Sequence, residues 1–154
     1  MNYDRLESPV GTLLITATDK GVRHILFDDI ADVDLPDHSS GQDAFIQQAK
    51  TQLSEYFNGQ RRQFDLPLDI DGTPFRKKVW RALQTIPYGE CWSYAELAQR
   101  IGQPKAMRAV GSANGNNPLC IVIPCHRVIA KDGGLGGYTG GLERKQWLLE
   151  LEQT

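Results

Sequence analysis

The sequence predicts an α+β fold, with a small strand-and-helix domain over residues 1–72 and a mostly helical domain over residues 73–154 that carries a helix-turn-helix. Three observations predict it. Ile-, Leu- and Thr-rich segments fill the first 27 residues. From Thr73 onward, apolar residues recur at helical spacing behind clear start and stop signals. The charge also changes sign near the same place: residues 1–75 hold six bases and thirteen acids (net −7), and residues 76–154 hold eleven bases and six acids (net +5).

In chain order, residues from Asn2 to Phe27 read as strands, with GTLLITAT (11–18) and GVRHILF (21–27) separated by an Asp19-Lys20-Gly21 turn. Residues 28–42 are acidic, contain Pro36 and end in His-Ser-Ser-Gly, which predicts a loop. Phe45, Ala49, Leu53 and Tyr56 share one face of a helix over 43–57. Thr73 as N-cap and Pro74 at the first helical position open the next helix, which Pro87-Tyr88-Gly89 ends. Ser93-Tyr94-Ala95-Glu96 is a capping box, whose helix ends at Gly102. Pro104 is expected to begin a second short helix, bearing Lys105 and Arg108 and running to about Asn114, to make the helix-turn-helix. Ile121-Val122-Ile123 reads as a buried strand or extended segment, 133–141 as a glycine-dense loop, and 142–152 as an amphipathic helix with Leu142, Trp147, Leu148 and Leu151 inward.

The 154 residues have a net charge of −2 and ordinary globular composition. No apolar run is long enough for a membrane span, and the first residues do not resemble a signal peptide. Three cysteines match neither a disulfide framework nor a zinc ligand set. A reducing cytoplasm, no metal and no cofactor are the expectation. The basic second half admits a polyanion on that side of the molecule.

Cys125 carries the chemical interest. It follows a buried apolar run and precedes His126. A thiol is nucleophilic as its thiolate, and a neighbouring base raises that fraction. Consecutive residues of extended chain face opposite ways, so direct Cys125–His126 contact requires a bend at Pro124 or a bridging water. Cys91 and Cys120 lack an adjacent histidine and read as packing residues. A helix-turn-helix directly upstream of a nucleophile suggests a nucleophile aimed at DNA. A cysteine hydrolase and a non-catalytic helix-turn-helix regulator are the competing classes.

The run IVIPCHRVI (121–129) resembles the acceptor-cysteine motif of the O6-alkylguanine–DNA alkyltransferases. Arg108-Ala109-Val110-Gly111-Ser112-Ala113, Asn117-Pro118, Gly137-Tyr138-Thr139-Gly140-Gly141 and Lys145-Gln146-Trp147-Leu148-Leu149 are similar to that family at the same spacing. The resemblance is dense from 73 to 152. Before that it rests on shape and on Ser8-Pro9-Val10-Gly11.

The resemblance implies DNA repair by one irreversible transfer of an alkyl group from O6-alkylguanine, and from O4-alkylthymine, to Cys125. His126 would act as base through a water, and Glu152 would orient it. Tyr94 would bond guanine N3 and protonate the leaving base. Arg108 would fill the stack while the damaged base swings out, with Lys105, Ser93 and Ala109 as further DNA contacts. Asn117 would bond backbone near the pocket. Tyr138 and Thr139 would line it, with the Thr139 amide facing the substrate oxygen. The carbonyls of Cys125 and Val128 would accept from the exocyclic amine. Some relatives carry metal-binding cysteines near the N-terminus and this chain has none. Cys120 would stand at a pocket-side position that tunes alkyl size. The protein would act as a monomer on double-stranded DNA.

Overall fold

A computed structural model describes residues 1–38, 42–130, 134 and 136–154. Ser39 to Gly41 of the acidic loop, and Gly133 and Leu135 of the glycine-dense loop, lie outside the described residues. The architecture is α+β, as expected, and its contacts divide into two compact units: Met1–Asp71 with Pro118–Cys120, and Gly72–Asn117 with Ile121–Thr154.

The first unit is a three-stranded antiparallel sheet, β1 (Asn2–Leu6), β2 (Leu13–Ala17) and β3 (Val22–Phe27), in sequence order. β2 is central and all five of its residues are buried. Helix α1 (Ala44–Phe57) buries Ile46, Ala49, Leu53 and Tyr56, and its N-cap Asp43 accepts from the backbone amides of Phe45 and Ile46. Leu119 bridges to Ile25 of β3, and the Cys120 amide donates to the Ile25 carbonyl.

The second unit holds α2 (Pro74–Leu83), α3 (Tyr94–Arg100), α4 (Met107–Gly115) and α5 (Leu142–Leu151). It also has a two-residue parallel pairing of β4 (Trp92–Ser93) with β5 (Val128–Ile129). Thr73 caps α2 by accepting from the Arg76 amide. Ser93 and Glu96 form the complete capping box of α3, a device worth about 1 kcal/mol. Trp80 of α2 donates its indole N–H to the Ala113 carbonyl of α4 at 2.8 Å and so ties the two helices together.

Four local expectations are corrected. α4 begins at Met107, because Ala106 has non-helical angles and its amide closes a separate turn on the Gln103 carbonyl. Pro104 and Lys105 therefore lie in the connecting turn and off the helix. Ile121-Val122 is a turn, with Ile121 at φ +75°. That conformation costs a β-branched residue about 1–3 kcal/mol and is held by burial of its side chain to 1 % exposure. Leu142 is 52 % exposed, whereas Lys145 is fully buried on the inward face of α5. Among the described residues, no helix is long and apolar enough to cross a membrane.

Candidate active site

The Cys-His segment turns at Pro124 (φ −80°, ψ 65°) and enters a 3-10 turn over Cys125–Arg127. About 120° now separates successive side chains, in place of the near-opposition of a strand. The chain thus bends at Pro124. Asn117 supports it from upstream, its Nδ2 donating to the Ile123 carbonyl at 2.7 Å. All three residues of the turn are buried.

His126 and Glu152 have side chains 0 % and 1 % exposed, and His126 Nε2 lies 2.8 Å from Glu152 Oε2. Burial lowers the His126 pKa and outweighs the attraction of Glu152, so the ring is neutral. The Glu152 carboxyl is held at about 2: burial opposes this, but bonds from His126 and Arg127 override it. A carboxylate only accepts, so the single ring proton sits on Nε2 and donates to it. Nδ1 is then a buried lone pair, and it has no hydrogen-bond partner among the described residues.

Arg127 completes the cluster. Its Nε donates to Glu152 Oε1 at 2.8 Å, one terminal nitrogen to Oε2 at 3.0 Å, and the other to the Ile86 carbonyl at 2.7 Å. Glu152 is thus clamped on two sides, which fixes the histidine. Lys145 Nζ donates to the carbonyls of Val128 (2.6 Å) and Gly137 (3.1 Å). Its pKa is lowered by burial, against the favourable charge of Cys125 and Cys91. Sequence reasoning assigned roles to neither Arg127 nor Lys145. The available signal was the 145/148/152 spacing, which places Lys145, Leu148 and Glu152 on one helical face.

Beside the Cys125–Arg127 turn is a cavity of about 350 Å³ lined by Tyr94, Gly111, Asn114, Gly115, Gly137, Tyr138 and Thr139. The Tyr94 hydroxyl pKa is raised, first by burial and then by the nearby Cys125 charge, while an Asn114 hydrogen bond pulls it down. Gly136, at φ +69°, brings the glycine loop within 3.6 Å of the Tyr94 ring, measured from where a Cβ would stand. Thr139 Oγ1 donates to the Gly115 carbonyl at 2.7 Å, joining that loop to the end of α4. Cys125 is 4 % exposed and is not among the lining residues; Asn114 Nδ2, from the lining, reaches its carbonyl at 3.5 Å.

Of the expected site residues, Tyr94, Tyr138 and Thr139 meet at the cavity. His126 and Glu152 meet in the buried cluster, Cys125 precedes His126 in the same buried turn, and the Val128 carbonyl accepts from Lys145. Asn117 braces the turn and is not among the lining residues. Cys120 is not among them either; it pairs with β3 in the first unit. Arg108 and Ala109 are exposed on α4, Lys105 is exposed in the turn before it, and Ser93 caps α3. Arg108 makes no ion pair among the described residues.

Residues 74–154 match the family described as 6-O-methylguanine DNA methyltransferase, DNA binding domain, and residues 1–70 match its ribonuclease-like domain. A methylated-DNA–protein-cysteine methyltransferase of Methanosarcina barkeri is 47 % identical, over 99 % of this chain and 98 % of that protein. The crystal structure of the Mycobacterium tuberculosis protein in complex with DNA is 43 % identical, with a TM-score of 0.90 over 99 % of this chain and 93 % of that one. The structure of a Methanococcus jannaschii O6-methylguanine DNA methyltransferase is 28 % identical, with a TM-score of 0.71 over 98 % and 92 %. With both halves matched and full-length relatives nearly half identical, this chain belongs to the 6-O-methylguanine DNA methyltransferase family.

Proposed function

We propose that this protein repairs double-stranded DNA by moving the alkyl group of O6-alkylguanine, and of O4-alkylthymine, onto the Cys125 sulfur in a single irreversible turnover. The observation that carries the reading is the His126 ring: it is neutral, its Nε2–H is committed to Glu152, and its Nδ1 lone pair is open one residue from a buried cysteine. A base in that state takes the thiol proton through a water. The thiolate attacks the alkyl carbon in line. The S–C bond forms as the C–O6 bond breaks, and the base leaves with the electron pair. Tyr94 bonds N3 and supplies a proton to the departing guanine. Cys125 charge raises the Tyr94 pKa, and alkylation removes that charge, so Tyr94 becomes a stronger acid as the reaction proceeds. The net change moves one proton from thiol to base.

Tyr138 and Thr139 form the pocket wall, with the Thr139 amide toward the substrate oxygen. Asn117 holds the acceptor turn, and the Cys125 and Val128 carbonyls face the exocyclic amine. Residues 73–154 hold the chemistry and the DNA contacts, with residues 1–72 as a supporting domain. The protein acts as a cytoplasmic monomer, consistent with three free thiols. Incubation with a duplex containing one O6-methylguanine should raise the protein mass by ~14 daltons, stoichiometrically and at Cys125 alone. Repeated turnover would favour a hydrolase, and sequence-specific binding without transfer would favour a regulator.

Arg108, exposed on the first turn of α4, fills the stack left by the flipped base, with Lys105, Ser93 and Ala109 contacting the backbone around it. Flipping costs a few kcal/mol of stacking and pairing, a cost absent for free O6-benzylguanine. Arg108→Ala should therefore slow repair of duplex DNA by about tenfold or more and leave the rate with the free base near that of the parent. Equal losses on both substrates would assign Arg108 to the fold or the pocket.

A further inference from the structure

Asn114 is a buried polar side chain of the cavity wall that the mechanism above does not use. It lies at the end of α4, 5 % exposed, on the face that also buries Val110 and Ala113. Its Nδ2 is directed at the Cys125 carbonyl at 3.5 Å, and the same amide acts on the Tyr94 hydroxyl. Asn114 thus stands between the group that meets the leaving base and the residue that takes the alkyl group. Its Oδ1 is buried and has no hydrogen-bond partner among the described residues. A buried acceptor without a partner is costly, and one in the wall of a binding cavity calls for a ligand that donates.

The chemistry of the lesions narrows that donor. Alkylation at O6 leaves guanine N1 without a proton, and N9 carries the sugar. The 2-amino group is then the only N–H donor the base retains. O4-alkylthymine has lost its N3 proton and retains none. The 2-amino group carries two hydrogens, and the Cys125 and Val128 carbonyls that face it already accept from Asn114 Nδ2 and Lys145 Nζ, so Asn114 Oδ1 is an acceptor in this wall with room for one of them.

We propose that Asn114 Oδ1 accepts a hydrogen bond from the 2-amino group of the flipped base, and that Asn114 thereby makes this pocket select O6-alkylguanine over O4-alkylthymine. This rests on the alkyl-transfer reading above. With thymine the acceptor stays buried and unpaired, which is how a site built for a donor rejects an analogue that lacks it.

The test compares single-turnover rates on three duplexes of one sequence, carrying O6-methylguanine, O6-methylhypoxanthine (the same base without its 2-amino group) or O4-methylthymine. The parent protein should react with O6-methylguanine about 10- to 100-fold faster than with O6-methylhypoxanthine. Asn114→Leu should remove about tenfold of that preference and raise the O4-methylthymine rate relative to O6-methylguanine by a similar factor. A purely structural role would slow all three substrates alike, so unchanged ratios in the variant would overturn the proposal. If Asn114→Leu does not fold, Asn114→Ala takes its place. Equal rates of the parent protein on O6-methylguanine and O6-methylhypoxanthine would also overturn it, with no variant needed. Absence of transfer to Cys125 from any duplex would instead remove the alkyl-transfer reading, and the role of Asn114 with it.

Discussion

Cys125→Ser is expected to abolish alkyl transfer while leaving DNA binding intact. The substitution is nearly isosteric at a site 4 % exposed, so the 3-10 turn and its partners are preserved. The chemistry is lost, because a serine hydroxyl ionises far less readily than a thiol and oxygen is the poorer nucleophile toward an alkyl carbon. The loss should be at least about a thousandfold, read as absence of the mass increase after prolonged incubation with excess O6-methylguanine duplex. Binding of the same duplex, followed by titration, should stay within about twofold, because the exposed residues proposed to contact DNA, on α4 and in the turn before it, are untouched. Alkylation of the variant at Cys91 or Cys120 would overturn the assignment. Burial raises the Cys91 thiol pKa and Glu152 raises it further, which keeps it in the unreactive form. Cys120 lies in the other unit, hydrogen-bonded through its amide to β3.

The second large effect is on stability. Glu152→Ala leaves the Arg127 guanidinium, 7 % exposed, without its carboxylate and removes the partner of His126 Nε2. Removing one member of a buried ion pair costs about 3–5 kcal/mol, measurable as a lowered urea midpoint. Replacing both members, as Arg127→Met with Glu152→Leu, should recover part of that loss because no unpaired charge remains. The same carboxylate sets the acid limit of the parent protein. Its pKa is about 2 in the fold against 4.5 ordinarily, so on acidification the unfolded chain binds the proton first. The contribution is complete above pH 4.5 and is lost as pH falls toward 2, on the order of 3 kcal/mol. His126 acts in the same direction from higher pH: the fold keeps it neutral, whereas the unfolded chain protonates it below its ordinary 6.5. Stability should therefore decline from near pH 6.5 downward, and Glu152→Ala should flatten the acidic part of that curve. A loss below about 1 kcal/mol with an unchanged acid limb would mean that solvent screens the cluster.

The amino-acid sequence alone determined the α+β class, the starts of α1, α2 and α3, and the Cys125-His126 pair. Each of these is decided within a few residues. Asp43 caps the amides of Phe45 and Ile46, Thr73 that of Arg76, and Ser93 with Glu96 closes a box four residues long. The acceptor motif is likewise contiguous, so a resemblance could name its parts. Tertiary structure decided what those parts touch. The bend at Pro124 and the left-handed Ile121 replace an expected extended run, because burial of Ile121 and the bond from Asn117 outweigh local backbone preference. The start of α4 moved to Met107 because the chain closes a turn at Gln103–Ala106 before the helix begins. Arg127 reads locally as a surface cation, yet its partners are 25 and 41 residues away. Lys145 was outweighed in the amphipathic pattern of α5 by the leucines around it, and only the carbonyls of Val128 and Gly137, brought near by folding, make its burial tolerable. Asn114 looked like the last polar residue of a short helix; a buried acceptor facing a cavity exists only once α4, Tyr94 and the acceptor turn are assembled. Caps and periodicity follow from hydrogen bonds that close within one helical turn, whereas the partners of buried charges and amides come from distant segments that meet only on folding.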